Sequence, residues 1–203
     1  MSRSEERERT NVDHIYAVGD VVLGVPELMP VAQKSGKLLA HRVSLRLAKN
    51  GEPQAQTKVI EEKEILEKYS TDYNLIPTTI FSPTEYSFVG LSEEEAERLY
   101  GKDNIEVYHR EATPLQYAIY KNNTKVAYMK VIVNKKEQEK VIGIHYFGPS
   151  ADEVIGGFAL AMKLGMNKQH LDSTIGIHPS TSEDIFNLDV TKRSMEEFRK
   201  TEC

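Results

Sequence analysis

The sequence contains a single cysteine among 203 residues. That cysteine, Cys203, is the last residue, so the chain can form neither an intramolecular disulfide nor a cysteine-based metal cage. The histidines predict no metal site either. Four of them are scattered along the chain without the spacing of metal ligands: His41, His109, His145 and His170. Any redox chemistry that the chain joins would need sulfur atoms from elsewhere.

Three further features that the sequence lacks exclude classes of function. No apolar run approaches the ~20 residues that cross a bilayer, and the N-terminus lacks the hydrophobic stretch of a secretion signal. The 12 glycines include no G-x-G pair, so the chain carries no dinucleotide fingerprint of its own. The net charge is −5, which gives no electrostatic reason to bind a polyphosphate. We therefore expect a cytoplasmic protein, with a mitochondrial form left open, and neither a nucleic-acid nor a membrane partner.

The first third of the chain predicts a small α/β piece followed by a linker, at residues 1–70. Residues 14–18 form a short apolar run that predicts a buried strand ending at a glycine. Residues 30–48 show helical apolar spacing, and Pro30 suits the first turn. The polar stretch that follows includes a possible short helix at residues 58–69.

The remainder, residues 71–203, predicts a second domain with an antiparallel sheet and helices, so that the whole chain belongs to the α+β class. Serine–glutamate pairs three residues apart, at Ser92 and again at Ser180, indicate capped helix starts. β-Branched and aromatic enrichment marks the strands, and the last three of them are typical of a meander. Strands are predicted at 78–81, 86–89, 105–110, 126–133 and 141–147, and helices at 92–101, 150–164, 167–171 and 180–188.

His178 is the first candidate for chemistry. It precedes Pro179, whose ring disfavours helical geometry at the residue before it, so the imidazole projects from a loop. Glu183 follows five residues later, within reach of the ring. A carboxylate bonded to Nδ1–H fixes the tautomer and leaves Nε2 free as a base. The alternative is that Glu183 only caps its helix and His178 packs in a turn, and spacing alone does not decide between the two.

Asp20 is the second candidate. It follows the predicted strand at 14–18, and a loop then leads into a helix N-terminus. In open α/β sheets ligands collect at the carboxyl ends of strands, and a helix start offers free N–H groups to an anion. Asp20 could equally be a solvent-facing turn residue beside Gly19, so a cofactor role and a turn role both stand.

Several segments together resemble the flavin-dependent pyridine-nucleotide-disulfide oxidoreductases, most closely the thioredoxin reductases and thioredoxin-glutathione reductases. The resemblance covers nearly the whole chain. IYAVGD at 15–20 is similar to the family's second flavin motif, and ELMPVA at 27–32 to the helix start that follows it. LDSTIGIHP at 171–179 with Glu183, and VTKRS at 190–194, match its C-terminal signature. The His-Pro-x-x-x-Glu part marks the superfamily, whereas the Thr-Lys-Arg-Ser tail favours the thioredoxin reductase branch.

The resemblance implies roles for individual residues. Asp20 would contact the ribityl chain of FAD, and the segment Glu27, Leu28 and Met29 would face the flavin's pyrimidine edge. His178, oriented by Glu183, would be the acid–base residue, and in this family it reaches the neighbouring subunit's active site beside the flavin. A homodimer, NADPH as the electron donor and thioredoxin as the disulfide substrate follow from the same resemblance, with glutathione disulfide as the alternative substrate.

The departures from the family are as informative. The family's N-terminal half, with its redox cysteine pair and NADPH domain, has no counterpart in this sequence, and Met29 stands where the branch usually has threonine. Cys203 is the one remaining candidate for a C-terminal redox sulfur, and a selenocysteine beyond it is a hypothesis. We therefore expect no turnover from the isolated chain. A non-catalytic dimerisation module and a truncated product are the alternative interpretations.

Overall fold

The computed structural model describes residues 8–50, 61–114, 127–197 and 199–200. Cys203, the candidate redox sulfur, lies outside the described residues. The chain divides into two compact units, Met1–Asn74 and Leu75–Cys203.

The first unit is built from two helices, α1 (Met29–Asn50) and α2 (Glu62–Tyr69). The predicted helix at 30–48 is thus confirmed, with two more residues at its C-terminal end. A short 3₁₀ turn at Gly19–Val21 precedes α1 and packs against it. The predicted short helix near 58–69 is confirmed from Glu62 onward, since residues 58–60 lie outside the described part of the chain.

The buried strand predicted at 14–18 is wrong. Its one ladder contact is an isolated antiparallel bridge between Tyr16 and Arg9. Ile15 remains 48% exposed and Val18 38% exposed. A strand needs a neighbour for its backbone N–H and C=O groups, and the described residues of this unit supply a single bridge. The segment is apolar, but the described part of this unit does not bury it.

A buried ion pair holds the first unit together. The carboxylate of Glu8 accepts a bond from Arg42 of α1 at 2.8 Å, with both side chains at most 1% exposed. The hydroxyl of Tyr73 donates to the other oxygen of Glu8 at 2.7 Å. Burial, and then the bond to Glu8, raises the pKa of Tyr73, so the phenol stays protonated and remains a donor. Residues at both ends of the unit therefore meet at one charged centre.

The second unit is a six-stranded sheet with the order β1-β2-β5-β4-β3-β6. The first five strands run antiparallel to their neighbours, and β6 pairs in parallel with β3. The predicted antiparallel sheet and its meander are therefore confirmed. The strands are β1 (Thr78–Ile80), β2 (Tyr86–Gly90), β3 (Ile105–Ala112), β4 (Ala127–Asn134), β5 (Lys140–Phe147) and β6 (Arg199–Lys200).

Helices cover both faces of this sheet. On one face lies α3 (Glu93–Tyr100), whose start carries the predicted capping box between Ser92 and Glu95. The other face is covered by α4 (Ala151–Lys163), α5 (Lys168–Asp172) and α6 (Glu183–Phe186). Strand alternation sends successive side chains to opposite faces, which explains why each face has its own apolar cluster.

The short helix α6 is anchored by the larger of these clusters. Ile185 within it is fully buried, and Leu188 just after it is 1% exposed. Phe186 packs on Phe158 of α4, with ring centroids 5.6 Å apart. A four-residue helix has little stability of its own, so this burial against the sheet is what keeps α6 in place.

The buried ion pair yields a stability prediction. Glu8→Ala leaves the Arg42 guanidinium buried without its carboxylate, so we expect a loss of about 3–5 kcal/mol in the free energy of unfolding of the first unit. Urea unfolding followed by far-UV circular dichroism measures it. The matched control is Asp13→Ala, which removes the partner of Arg9 from an exposed pair at 2.9 Å and should cost about 0–1 kcal/mol. Equal losses in the two variants would contradict the assignment.

Candidate functional site

The structure brings His178 and Glu183 together. Nδ1 of the imidazole lies 3.1 Å from Oε1 of the carboxylate. The His178 side chain is 75% exposed, whereas that of Glu183 is 22% exposed. Because the carboxylate accepts, Nδ1 carries the proton in this contact, and Nε2 is left as the basic nitrogen of the neutral ring. The arrangement is an exposed imidazole oriented by a half-buried acid.

Glu183 is itself held from its own loop. Its Oε1 also accepts the backbone N–H of Ser180 at 3.2 Å. The hydroxyl of Ser180 turns the other way and donates to the carbonyl of Ile177 at 2.6 Å. The capping box predicted from Ser180 is therefore only half formed, and α6 begins at Glu183 instead of Ser180. The Ser180 hydroxyl thus closes the turn from Ile177 to Ser180, and the residue before α6 is Ser182.

Gly176 contributes to the same site in a way that the sequence did not predict. A Cβ built on Gly176 would lie 2.6 Å from the Cβ of Glu183, closer than van der Waals contact allows. A larger residue at this position would displace either the loop or the carboxylate. The signal in the sequence is a lone glycine two positions before the histidine, and a lone glycine is equally typical of an ordinary turn.

Asp20 lies in the first unit, on the 3₁₀ turn before α1. Gly19 beside it has φ +72°, and a Cβ there would meet the Cβ of Ala32 at 3.0 Å. The glycine therefore lets the turn approach α1 closely, and Asp20 beside it is exposed.

The segment before α1 is also open. Glu27 and Met29 are exposed, with Met29 at 67%. The N–H of Leu28 donates to the carbonyl of Pro26 at 3.0 Å, so a ligand that used this N–H would have to replace that bond.

Two other histidines are structural, as the sequence predicted. Nε2–H of His145 donates to the carbonyl of Leu91 at 3.0 Å, and Nδ1 accepts the hydroxyl of Tyr86 at 2.7 Å. This bonding pattern belongs to a neutral ring. Burial lowers the pKa of His145, and burial followed by the Lys192 charge lowers the pKa of His109.

Neither a candidate metal cluster nor a membrane-spanning helix is found in the described ranges of the chain. These residues contain no group of three or more histidine, cysteine, aspartate or glutamate side chains placed to hold a metal ion. None of the helices described is both long and apolar enough to cross a membrane.

Comparison with known proteins identifies the family. Residues 76–188, more than half of the chain, match the pyridine nucleotide-disulphide oxidoreductase dimerisation domain. The chain belongs to the pyridine nucleotide-disulphide oxidoreductase family. It is 42% identical to thioredoxin reductase SEP1 of Emiliania huxleyi over 97% of this chain and 37% of that protein. It is also 42% identical to mitochondrial thioredoxin reductase 2 of Drosophila melanogaster, over 92% of this chain and 32% of that protein.

The chain aligns with part of each of these thioredoxin reductases and spans about a third of the length of these curated relatives. The dimerisation-domain match includes both His178 and Glu183 and ends at residue 188, just after α6. In this family member, therefore, the histidine–glutamate pair belongs to the sheet-and-helix unit. Asp20 lies before the matched domain.

The buried histidines predict an acid-sensitive second unit. A histidine whose pKa is lower in the folded than in the unfolded chain makes the unfolded chain bind more protons, so stability is present at neutral pH and falls with pH below the unfolded value of about 6.5. We expect the urea midpoint of the second unit to drop between about pH 7 and pH 5.5. In His109→Gln/His145→Gln the drop should shrink relative to the unaltered protein. An unchanged pH dependence in that double variant would contradict the assignment.

Proposed function

We propose that this chain forms the flavin-contacting and interface portion of an NADPH-dependent, FAD-containing thioredoxin-disulfide reductase. The observation that carries the proposal is the exposed His178 ring bonded through Nδ1 to Glu183. The family of the chain and its similarity to two thioredoxin reductases support the substrate class. Reduction of glutathione disulfide is the alternative within the same family.

His178 would act by moving one proton at Nε2. The imidazole accepts the proton of a thiol, and the resulting thiolate attacks one sulfur of the substrate disulfide. A new S–S bond forms as the old one breaks, and the departing sulfur takes the proton back from Nε2. A second exchange of the same kind releases the substrate as a dithiol and leaves the donor pair as a disulfide. Both donor sulfurs come from a redox pair on another stretch of protein.

Glu183 would keep the ring in one tautomer throughout this cycle. While Nδ1–H is bonded to the carboxylate, the basic nitrogen is always Nε2. When Nε2 is protonated, the carboxylate faces an imidazolium and stabilises its charge. The exposure of the ring supports a role toward sulfur atoms of a different chain, in agreement with a homodimer.

Asp20 and the segment before α1 are the residues that would hold FAD. The close approach of Gly19 to α1 leaves the Asp20 carboxylate exposed as an acceptor for a ribityl hydroxyl, and the segment Glu27 to Met29 leads into the positive end of α1. When bound, FAD would supply two-electron transfer from NADPH to the disulfide pair. Asp20 would bind and orient it, and the helix terminus would favour negative charge at its edge.

A chimera tests the acid–base role. The 203-residue chain would replace the aligned part of the Emiliania huxleyi thioredoxin reductase, and NADPH oxidation with thioredoxin would be followed at a fixed flavin content. We expect His178→Gln to lower turnover with thioredoxin about 10²–10⁴-fold, because proton transfer at the sulfur is lost. Reduction of the flavin by NADPH should be unchanged.

The control variant is His170→Gln, which alters another exposed histidine of the same unit. It should retain turnover. Full activity in His178→Gln, or an equal loss in both variants, would contradict the proposal. Running the same assay with glutathione disulfide identifies the preferred substrate.

The isolated chain should show no sustained NADPH oxidation with added FAD and thioredoxin, since it holds only part of the machinery. The match to a dimerisation domain favours a second candidate function, a non-catalytic module that pairs with itself. A mass measurement of the purified chain distinguishes the two: a flavin-free dimer favours the module, and sustained turnover by the chain alone would contradict both.

A further inference from the structure

The loop that carries His178 has no buried anchor of its own. Leu171 before it is 1% exposed and Ile185 after it is fully buried, but none of residues 172–184 between them is buried. The orientation of the His178–Glu183 pair therefore depends on how the first turn of α6 is fixed. Burial of Ile185 holds that turn against the sheet, but apolar burial is less directional than a charge-assisted hydrogen bond and fixes the rotation about the helix axis less closely.

A directional contact to the same turn comes from β3. Nη1 of Arg110 donates to Oδ1 of Asp184, the residue after Glu183, at 2.9 Å. Nη2 of the same guanidinium lies 3.5 Å from Oδ1 of Asp189, just beyond α6. The Arg110 side chain is 9% exposed, so the contact to Asp184 forms in a largely dry environment. One arginine thus contacts residues at both ends of α6.

The register of the sheet determines the face from which the Arg110 side chain projects. Arg110 pairs with Met129 of β4 in the antiparallel register, and Met129 is fully buried in the cluster beneath α6. Directly opposed residues on neighbouring strands project from the same face, so Arg110 points toward α6. Charge-assisted bonds from a guanidinium are among the strongest and most directional in proteins.

We propose that Arg110 is a positioning residue for the His178–Glu183 pair. It does not contact His178. By holding Asp184 it fixes the rotation of the first turn of α6, and that rotation sets where the Glu183 carboxylate meets Nδ1. The proposal rests on the proposed function for its purpose, but its geometry can be tested without turnover.

The test reads the tautomer of His178 by ring ¹⁵N NMR of the full 203-residue chain at alkaline pH, where an imidazole is neutral. With Glu183 in place the ring shows the Nδ1–H tautomer, and Glu183→Ala, which removes the acceptor, provides the reference spectrum for its loss. We expect Arg110→Gln and Asp184→Asn each to shift the His178 nitrogens toward that reference. The double variant should shift them no further, because the two residues act through one contact.

Glu93→Gln is the matched control. Glu93 is another charged centre on the second unit, where it meets Lys130 and Lys192, with a side chain 20% exposed. This variant should leave the His178 signals unchanged. The ring signals of His109 and His145 report the fold of the sheet in every variant. If Arg110→Gln disturbs the signals of His109 and His145, the result from Asp184→Asn decides. Asp184 is 23% exposed, so we expect the fold to tolerate this change.

Loss of the Nδ1–H signature in Asp184→Asn, with the sheet signals intact, supports the proposal. Retention of that signature in Asp184→Asn would overturn it and leave Arg110 with a purely structural role. Both results are independent of the acid–base assignment, which the chimera tests. An active His178→Gln chimera would remove the proposed function while leaving this geometric result unaffected.

Discussion

The bond between Nδ1 of His178 and the Glu183 carboxylate is the interaction on which the proposed chemistry depends. An imidazole on an open loop can rotate and exchange its proton between two nitrogens, and either freedom weakens it as a base toward one particular sulfur. A carboxylate on Nδ1 removes both freedoms at once. It also leaves the ring 75% exposed, which suits chemistry on atoms that this chain does not hold.

The second unit can be understood as the support for that bond. The loop around His178 has no buried residue, so its position depends on α6. The position of α6 depends in turn on the sheet against which it packs. The opposite face of the sheet holds a separate cluster under α3, which does not touch the site. Reactive residues commonly lie on an open loop at the edge of a rigid scaffold. The stable scaffold positions groups that must still reach a partner.

Much of the second unit could be predicted from sequence because its signals are local. Alternation and β-branched residues marked the strands, and Ser92 with Glu95 marked the start of α3. The strand predicted at 14–18 was wrong since pairing depends on a neighbour that local pattern does not reveal. The capping box predicted at Ser180 is only half formed for a different reason: the Ser180 hydroxyl donates to the carbonyl of Ile177, three residues earlier.

In the candidate site, too, some contacts could be predicted from local sequence and others could not. The spacing of His178 and Glu183 placed the carboxylate within reach of the ring but left a helix cap as the alternative, and the family resemblance favoured the contact. Gly176 and Arg110 were missed. The first acts through a close approach that only coordinates show, and the second reaches α6 across 74 residues of sequence through the register of β3. Such long-range contacts leave no local pattern in a single sequence.

A double-mutant cycle in the thioredoxin reductase chimera tests the central claim most directly. Turnover with thioredoxin would be compared among the unaltered chimera, His178→Gln, Glu183→Gln and the double variant. If Glu183 acts by orienting His178, Glu183→Gln lowers turnover in the unaltered background and has no further effect once His178 is replaced. Independent, multiplicative losses from the two substitutions would contradict the claim.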